Sequence, residues 1–155
     1  MAFSSIRSAL ATRLTSALTA YDTTVHEYAR LNFEMTGTDE FANLYVDASN
    51  RVNVVIIERM GFADMQVNED SSVIRRHVVH LNFCFSHSDT NASENTFNTL
   101  LETAEADLQT GDRTLGGSCL TYSLPEINNI DFGKLGKRQD AYHVASIKIN
   151  IDEVL

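Results

Sequence analysis

Val79, Leu81, Phe83 and Phe85 alternate with His80, Asn82 and Cys84, and this period of two constrains the chain more than any other feature. Successive side chains of a strand point to opposite faces, so the run predicts a strand over residues 75–86 with one apolar face. That face must be covered, and two amphipathic stretches can cover it. Phe3, Ile6, Leu10, Leu14 and Leu18, with Ala9 and Ala17 beside them, recur at helical steps and predict a helix from about Ser4 to Ala20. Serines and threonines take its other, solvated side, together with Arg7 and Arg13. A second helix opens with Asn91 and Glu94 at capping-box spacing, turns Phe97, Leu100, Leu101, Ala104 and Leu108 inward, and stops at Gly111.

Further strands complete the sheet. Residues 25–33 alternate as a partly exposed strand, and Val52, Val54, Val55, Ile56 and Ile57 form the β-branched run expected of a central strand covered on both faces. Leu120, Tyr122 and Leu124 mark a strand ending near Pro125, the single proline, and Ala145, Ile147, Ile149 and Ile151 mark a terminal strand. Thr38, Asp39 and Glu40 ahead of Phe41, Leu44, Tyr45 and Ala48 predict a short capped helix. Residues 59–73 and 131–140 read as long loops. The expected fold is α+β, a mainly antiparallel sheet with two long helices packed on one face, in one domain over residues 1–155.

Composition narrows the function. A formal charge of −9 argues against a protein that grips nucleic acid, because such binding rests on cations displacing phosphate counterions. A surface that repels phosphate is instead suited to letting DNA slide past, although acidity for solubility alone is common. Arg7 and Arg13 interrupt the apolar pattern of the N-terminus, so neither a secretory leader nor a membrane span is expected there, and synthesis in a cytoplasm is. Cys84 and Cys119 sit in apolar segments and read as buried hydrophobes. His77 and His80 would point to opposite faces of their strand; His80 and Cys84 share a face but stand about 13 Å apart, too far to ligate one zinc. Gly116-Gly117 lacks the lysine and following helix of a phosphate loop and reads as a turn, and Ser118 has no local base. No catalytic, cofactor-binding or metal-binding residue is expected.

What remains is surface. Met60, Phe62 and Met65 punctuate the first long loop and are candidates for contact with a partner. Lys134, Lys137 and Arg138 gather three of the twelve basic residues in the second loop, which is either a solvated hairpin or a subunit interface. Glu94, Glu102, Glu105 and Asp107 give the second helix an acidic side, either simply solvated or a docking or channel-lining surface.

The stretches IRSALATRLTSAL, RRHVVHLNFCF, NTFNTLLETAEADLQT followed by DRTLGGSCLTYSLPEI, and YHVASIKINIDEV together resemble the tail terminator proteins of siphophages, the group that includes the phage lambda tail terminator. The similarity covers nearly the whole chain, and the junction at Thr114 to Gly117 is its most specific part. The chain departs from the common pattern in lacking prolines before the second strand and in carrying the extra stretch Met35 to Asn50. The resemblance implies a virion protein that forms a homohexameric ring, caps the tail tube, ends its polymerisation and offers the head connector a joining surface. Its implied partners are itself, the major tail tube protein and the neck proteins, with DNA passing through unbound. The alternatives are another neck or tail-completion subunit and, from a different class, a small cytosolic enzyme or ligand-binding domain.

Overall fold

The computed structural model describes residues 2–28, 39–66, 73–87, 92–134 and 141–155. Among them the order is α1 (Phe3–Ala17), a 3-10 turn (Thr19–Tyr21), β1 (Thr24–His26), α2 (Asp39–Tyr45), β2 (Asn53–Gln66), β3 (Val73–Ser86), α3 (Ser93–Thr110), β4 (Thr121–Tyr122), β5 (Glu126–Lys134) and β6 (Ala141–Val154). The sheet runs β1-β2-β3-β6, and β4 and β5 follow one another along the outer side of β6. All pairings are antiparallel except β1 with β2. The α+β class, the mainly antiparallel sheet and the two long helices on one face are as the sequence predicts.

The alternating run works as expected. Val79, Leu81 and Phe83 on β3 stand beside Ile149, Ile147 and Ala145 on β6, and this face meets Ile6, Leu10 and Leu14 of α1 and Phe97, Leu100, Leu101, Ala104 and Leu108 of α3. Each large side chain buried there contributes roughly 1.5–3 kcal/mol, which makes the helix–sheet layer the main source of stability. The opposite face is covered more thinly: Tyr45 at the end of α2 packs on Val52, Val54, Ile56, Cys84 and Tyr142. Neither cysteine is in a disulfide, and both are buried.

Several boundaries differ for identifiable reasons. α1 ends at Ala17, and Leu18 stays buried while the chain tightens into the 3-10 turn before left-handed Asp22. β1 holds only Thr24–His26, and residues 29–33 of the expected strand, like Thr38, lie outside the described residues. β2 is covered on both faces at Val54–Ile57 and lies between β1 and β3, while β3 is the middle strand of the sheet. α3 has no capping box: Ala92 is its N-cap, with no side-chain cap bond, and the Ser93 hydroxyl turns to His143. Asn91 lies outside the described residues. β4 is two residues long, with Tyr122 buried and Leu120 and Leu124 exposed.

The larger corrections concern the two supposed loops, which are strands for much of their length. Residues 59–66 continue β2, and 131–134 belong to β5. In each case one extra residue interrupts the period of two: the register slips between Arg59 and Gly61 in β2 and between Asn128 and Asp131 in β5. A one-residue slip moves every later side chain to the other face. Thus Val55, Ile57 and Arg59 share the helix-side face with Phe62, which stands opposite His77, and Ile127 shares it with Phe132, which stands opposite His143. The parity read before each bulge does not carry past it, which hides the length of both strands.

Candidate functional site

Large apolar side chains are exposed along two different borders of the sheet. The first is the outer side of β2. β1 pairs only with Val54–Ile56, so among the described residues β2 is open from Ile57 to Gln66. Met60 sits in the bulge and Phe62 just after it, 56% and 54% exposed, while Met65 is half-buried on the opposite face. Phe62 is held between cations: the Arg75 guanidinium lies 4.7 Å and that of Arg59 5.2 Å from its ring centre. Arg59 also caps Phe3 at 4.7 Å, and Arg7 lies over Phe3 at 5.0 Å and Tyr28 at 4.5 Å. Such stacking fixes guanidinium groups without neutralising them.

Of these arginines, Arg75 is paired in both senses of its fork, Nε to Asp64 Oδ1 at 2.6 Å and the terminal nitrogen to Oδ2 at 2.8 Å. That hydrogen bonding holds the exposed Asp64 carboxyl below its ordinary range. Arg7 and Arg59 have no carboxylate partner among the described residues. Beneath Phe62, the buried His77 donates or accepts at Nε2 with Glu153 Oε2, 2.9 Å away, and Phe3 covers its ring at 4.7 Å.

The second border is formed by β4 and β5, where Leu120, Leu124, Ile130 and Phe132 are exposed. Above β5 stands the outer side of α3. Glu94, Asn98, Glu102 and Glu105 follow at steps of four and three, a single stripe along the helix. The other side of α3 faces α1 and the 3-10 turn after it, through Arg13 with Asp107 and Tyr21 with Thr103. Asp107 therefore leaves the expected acidic surface: it is tied to Arg13 at 2.6 Å and half-buried. Lys134 closes β5, and Lys137 and Arg138 lie outside the described residues.

Between α3 and β5 a cleft of about 710 Å3 opens, lined by Glu94, Asn98, Ile130, Asp131, Phe132 and His143 among others. Its floor is aromatic. His143 stacks on Phe97 at 5.4 Å and lies 5.1 Å from Phe132 and 5.5 Å from His87. Burial, then the neighbouring His87, pushes the His143 imidazole below its ordinary pKa. Ser93 Oγ is 3.0 Å from His143 Nε2. Both residues are buried, and the contact ties the first turn of α3 to β6. Among the described residues no group of three His, Cys, Asp or Glu side chains is placed to hold a metal ion, and no helix is long and apolar enough to cross a membrane.

Sequence reasoning placed Met60 and Phe62 at a surface but in a loop, and it missed the cleft. His87, Ser93, Ile130, Phe132 and His143 are spread over 57 positions of the chain and meet only through strand pairing. The one local signal was Ile130 and Phe132 alternating with Asn129 and Asp131, which marks a strand rather than a loop.

No protein-family model matches this sequence, and no curated protein matches it.

Proposed function

We propose that this chain is a ring-forming structural subunit of a phage tail, of the tail-terminator kind. The observation that carries the reading is that, among the described residues, one sheet ends in two different open borders, each bearing exposed large apolar side chains. An open strand edge with apolar side chains is a template for another chain, and proteins that remain alone cover or charge it. Two unlike borders that fit each other make a heterologous contact, and such contacts close into rings when the rotation between copies allows. The number six, the capped tail tube and the head connector come from the sequence resemblance.

In this reading geometry performs the task. A ring seated on the last tube layer leaves no surface on which another tube ring can grow, and its far side receives the neck. Six copies carry six times the −9 charge of one chain, which keeps phosphate off the walls as DNA passes. Another neck or tail-completion ring would use the same surfaces. Native mass spectrometry with negative-stain imaging, of the protein alone and with tail-tube protein, tests the reading: annuli that cap tubes are expected, and a monomer indifferent to tubes at high concentration removes it.

A second reading, a small-ligand-binding domain or enzyme, rests on the cleft, whose volume of about 710 Å3 is within the range of small-molecule pockets. Saturable binding of a metabolite, with no self-assembly, would favour it.

A further inference from the structure

We propose that the cleft between α3 and β5 is a socket for Phe62 and Arg59 of a second copy of this chain. The proposal deepens the ring reading and rests on it, because it names which surfaces of neighbouring subunits meet.

Register is the first argument. β1 blocks β2 at Val54–Ile56, so among the described residues a neighbour's strand can pair only along Ile57–Gln66. The matching open edge is β5, Glu126–Lys134. Laying one open length against the other sets Phe62, midway along the first, beside Ile130, midway along the second.

The faces agree as well. Phe62 projects from the helix-side face because of the β2 bulge, and the cleft lies on the helix side of β5, with Phe132 brought there by its own bulge. Within each subunit α1 lies toward β1 and α3 toward β6. Edge pairing therefore places the outer stripe of one α3 alongside the α1–β2 border of the next.

Charge completes the fit. The knob offers Arg59 and Arg7, stacked on rings and without a carboxylate partner among the described residues. The socket offers Glu94 at its rim, and the α3 stripe continues with Glu102 and Glu105. Phe62 enters against Phe132 and His143, so an exposed ring exchanges water for aromatic contact while Arg59 meets the acidic rim. A buried aromatic flanked by arginine is the usual composition of an interface hot spot.

The test is a charge swap with a covalent trap. Arg59→Glu, Glu94→Arg and Phe62→Ser alter exposed positions, so circular dichroism should show each variant folded. Each should weaken self-association by about tenfold or more, as expected for a hot-spot residue. Arg59→Glu combined with Glu94→Arg should recover most of that loss. With Phe62→Cys and Ile130→Cys in one chain, oxidation should give a disulfide ladder ending at the ring on a denaturing gel; the native cysteines are buried and do not compete. Wild-type rings with no loss in the single variants, or rings with no ladder, would overturn the socket while leaving the ring. Wild-type protein that stays monomeric, with or without tubes, would overturn both.

Discussion

Arg13 Nε lies 2.6 Å from Asp107 Oδ2, and that contact joins the two long helices at the point where α3 hands the chain to the sheet. The same guanidinium donates to the carbonyls of Asp107 and Asp112 and to the Tyr122 hydroxyl, which in turn donates to the Leu108 carbonyl. The Asp107 carbonyl also accepts from the Gly111 amide and the Asp112 carbonyl from the Leu115 amide, so Arg13 adds a second donor where α3 ends, while the Tyr122 hydroxyl serves the Leu108 carbonyl. Gly111 makes room for it: a Cβ there would collide with an Arg13 terminal nitrogen. Arg13→Ala should cost about 2–3 kcal/mol, since it leaves the half-buried Asp107 carboxylate without its cation and removes charge-assisted bonds to two carbonyls and the Tyr122 hydroxyl. Gly111→Ala should cost a similar amount in the wild type by expelling the guanidinium, and less in the Arg13→Ala background, where only the approach of the Cβ to the Asp107 carbonyl, at 2.9 Å, remains. Urea unfolding of the four-member cycle measures this; additive losses would show that the two residues act independently.

The His77–Glu153 pair predicts a limb of acid instability. Burial works to raise the Glu153 carboxyl, and the hydrogen bond with His77 leads the effects that outweigh it, so its pKa lies below the ordinary 4.5. A carboxyl whose folded pKa is lowered binds protons more readily in the unfolded chain. Its stabilising contribution is therefore complete above the ordinary value and is lost as pH falls through the folded one. Thermal unfolding followed downward from pH 6 should show a decline beginning below about pH 4.5, and Glu153→Gln should flatten it while lowering stability at pH 7. A decline of equal slope in that variant would assign the acid limb to other groups.

Cys119 should be inert in the folded protein. Burial, with Asp112 and Asp152 nearby, pushes its thiol up to about 11, and the thiolate is the reactive form. Cys84 is buried beneath Tyr45 and Tyr142. Mass spectrometry after brief iodoacetamide treatment at pH 8 should find neither modified in native protein and both modified in denaturant. Rapid native labelling of Cys119 would mean that the turn at Asp112–Gly117 opens readily. That turn is well braced: Asp112 accepts from the Thr114 amide and hydroxyl and the Gly116 amide, while Gly116 and Gly117 take left-handed conformations.

Much of this architecture could be read from residue order, and what could not has a common cause. Phe97, Leu100, Leu101, Ala104 and Leu108 identify their own helix because periodicity is a local property. The bulges in β2 and β5 defeat the same logic, since one extra residue reverses the parity that marks a strand. Arg13 sits on the polar side of its helix and was expected in solvent; its partners Asp107, Asp112 and Tyr122 are about a hundred residues away, and no local pattern records such a distance. Asp107 was expected among free acids for the same reason. The cleft is the extreme case, because its lining comes from His87 just after β3 and from α3, β5 and β6, and acquires meaning only when they are side by side.

The open edge of β5 yields the last prediction. Ile130 is 62% exposed and carries no fold-stabilising burial of its own, so replacing it by lysine should leave folding intact. A lysine on an edge strand is a common device by which sheet proteins stop a second strand from pairing, because docking would strip water from the charge. At the rim of the cleft the new ammonium group would also meet Arg59 of an incoming copy and cancel the attraction of Glu94. Ile130→Lys should therefore unfold within about a degree or two of the wild type, the shift expected for a surface change of up to about 0.5 kcal/mol. In sedimentation velocity the same variant should run as a monomer at concentrations where the wild type forms rings. A variant that assembles as the wild type does would exclude β5 as a subunit contact, whereas one that unfolds early would show that Ile130 belongs to the core.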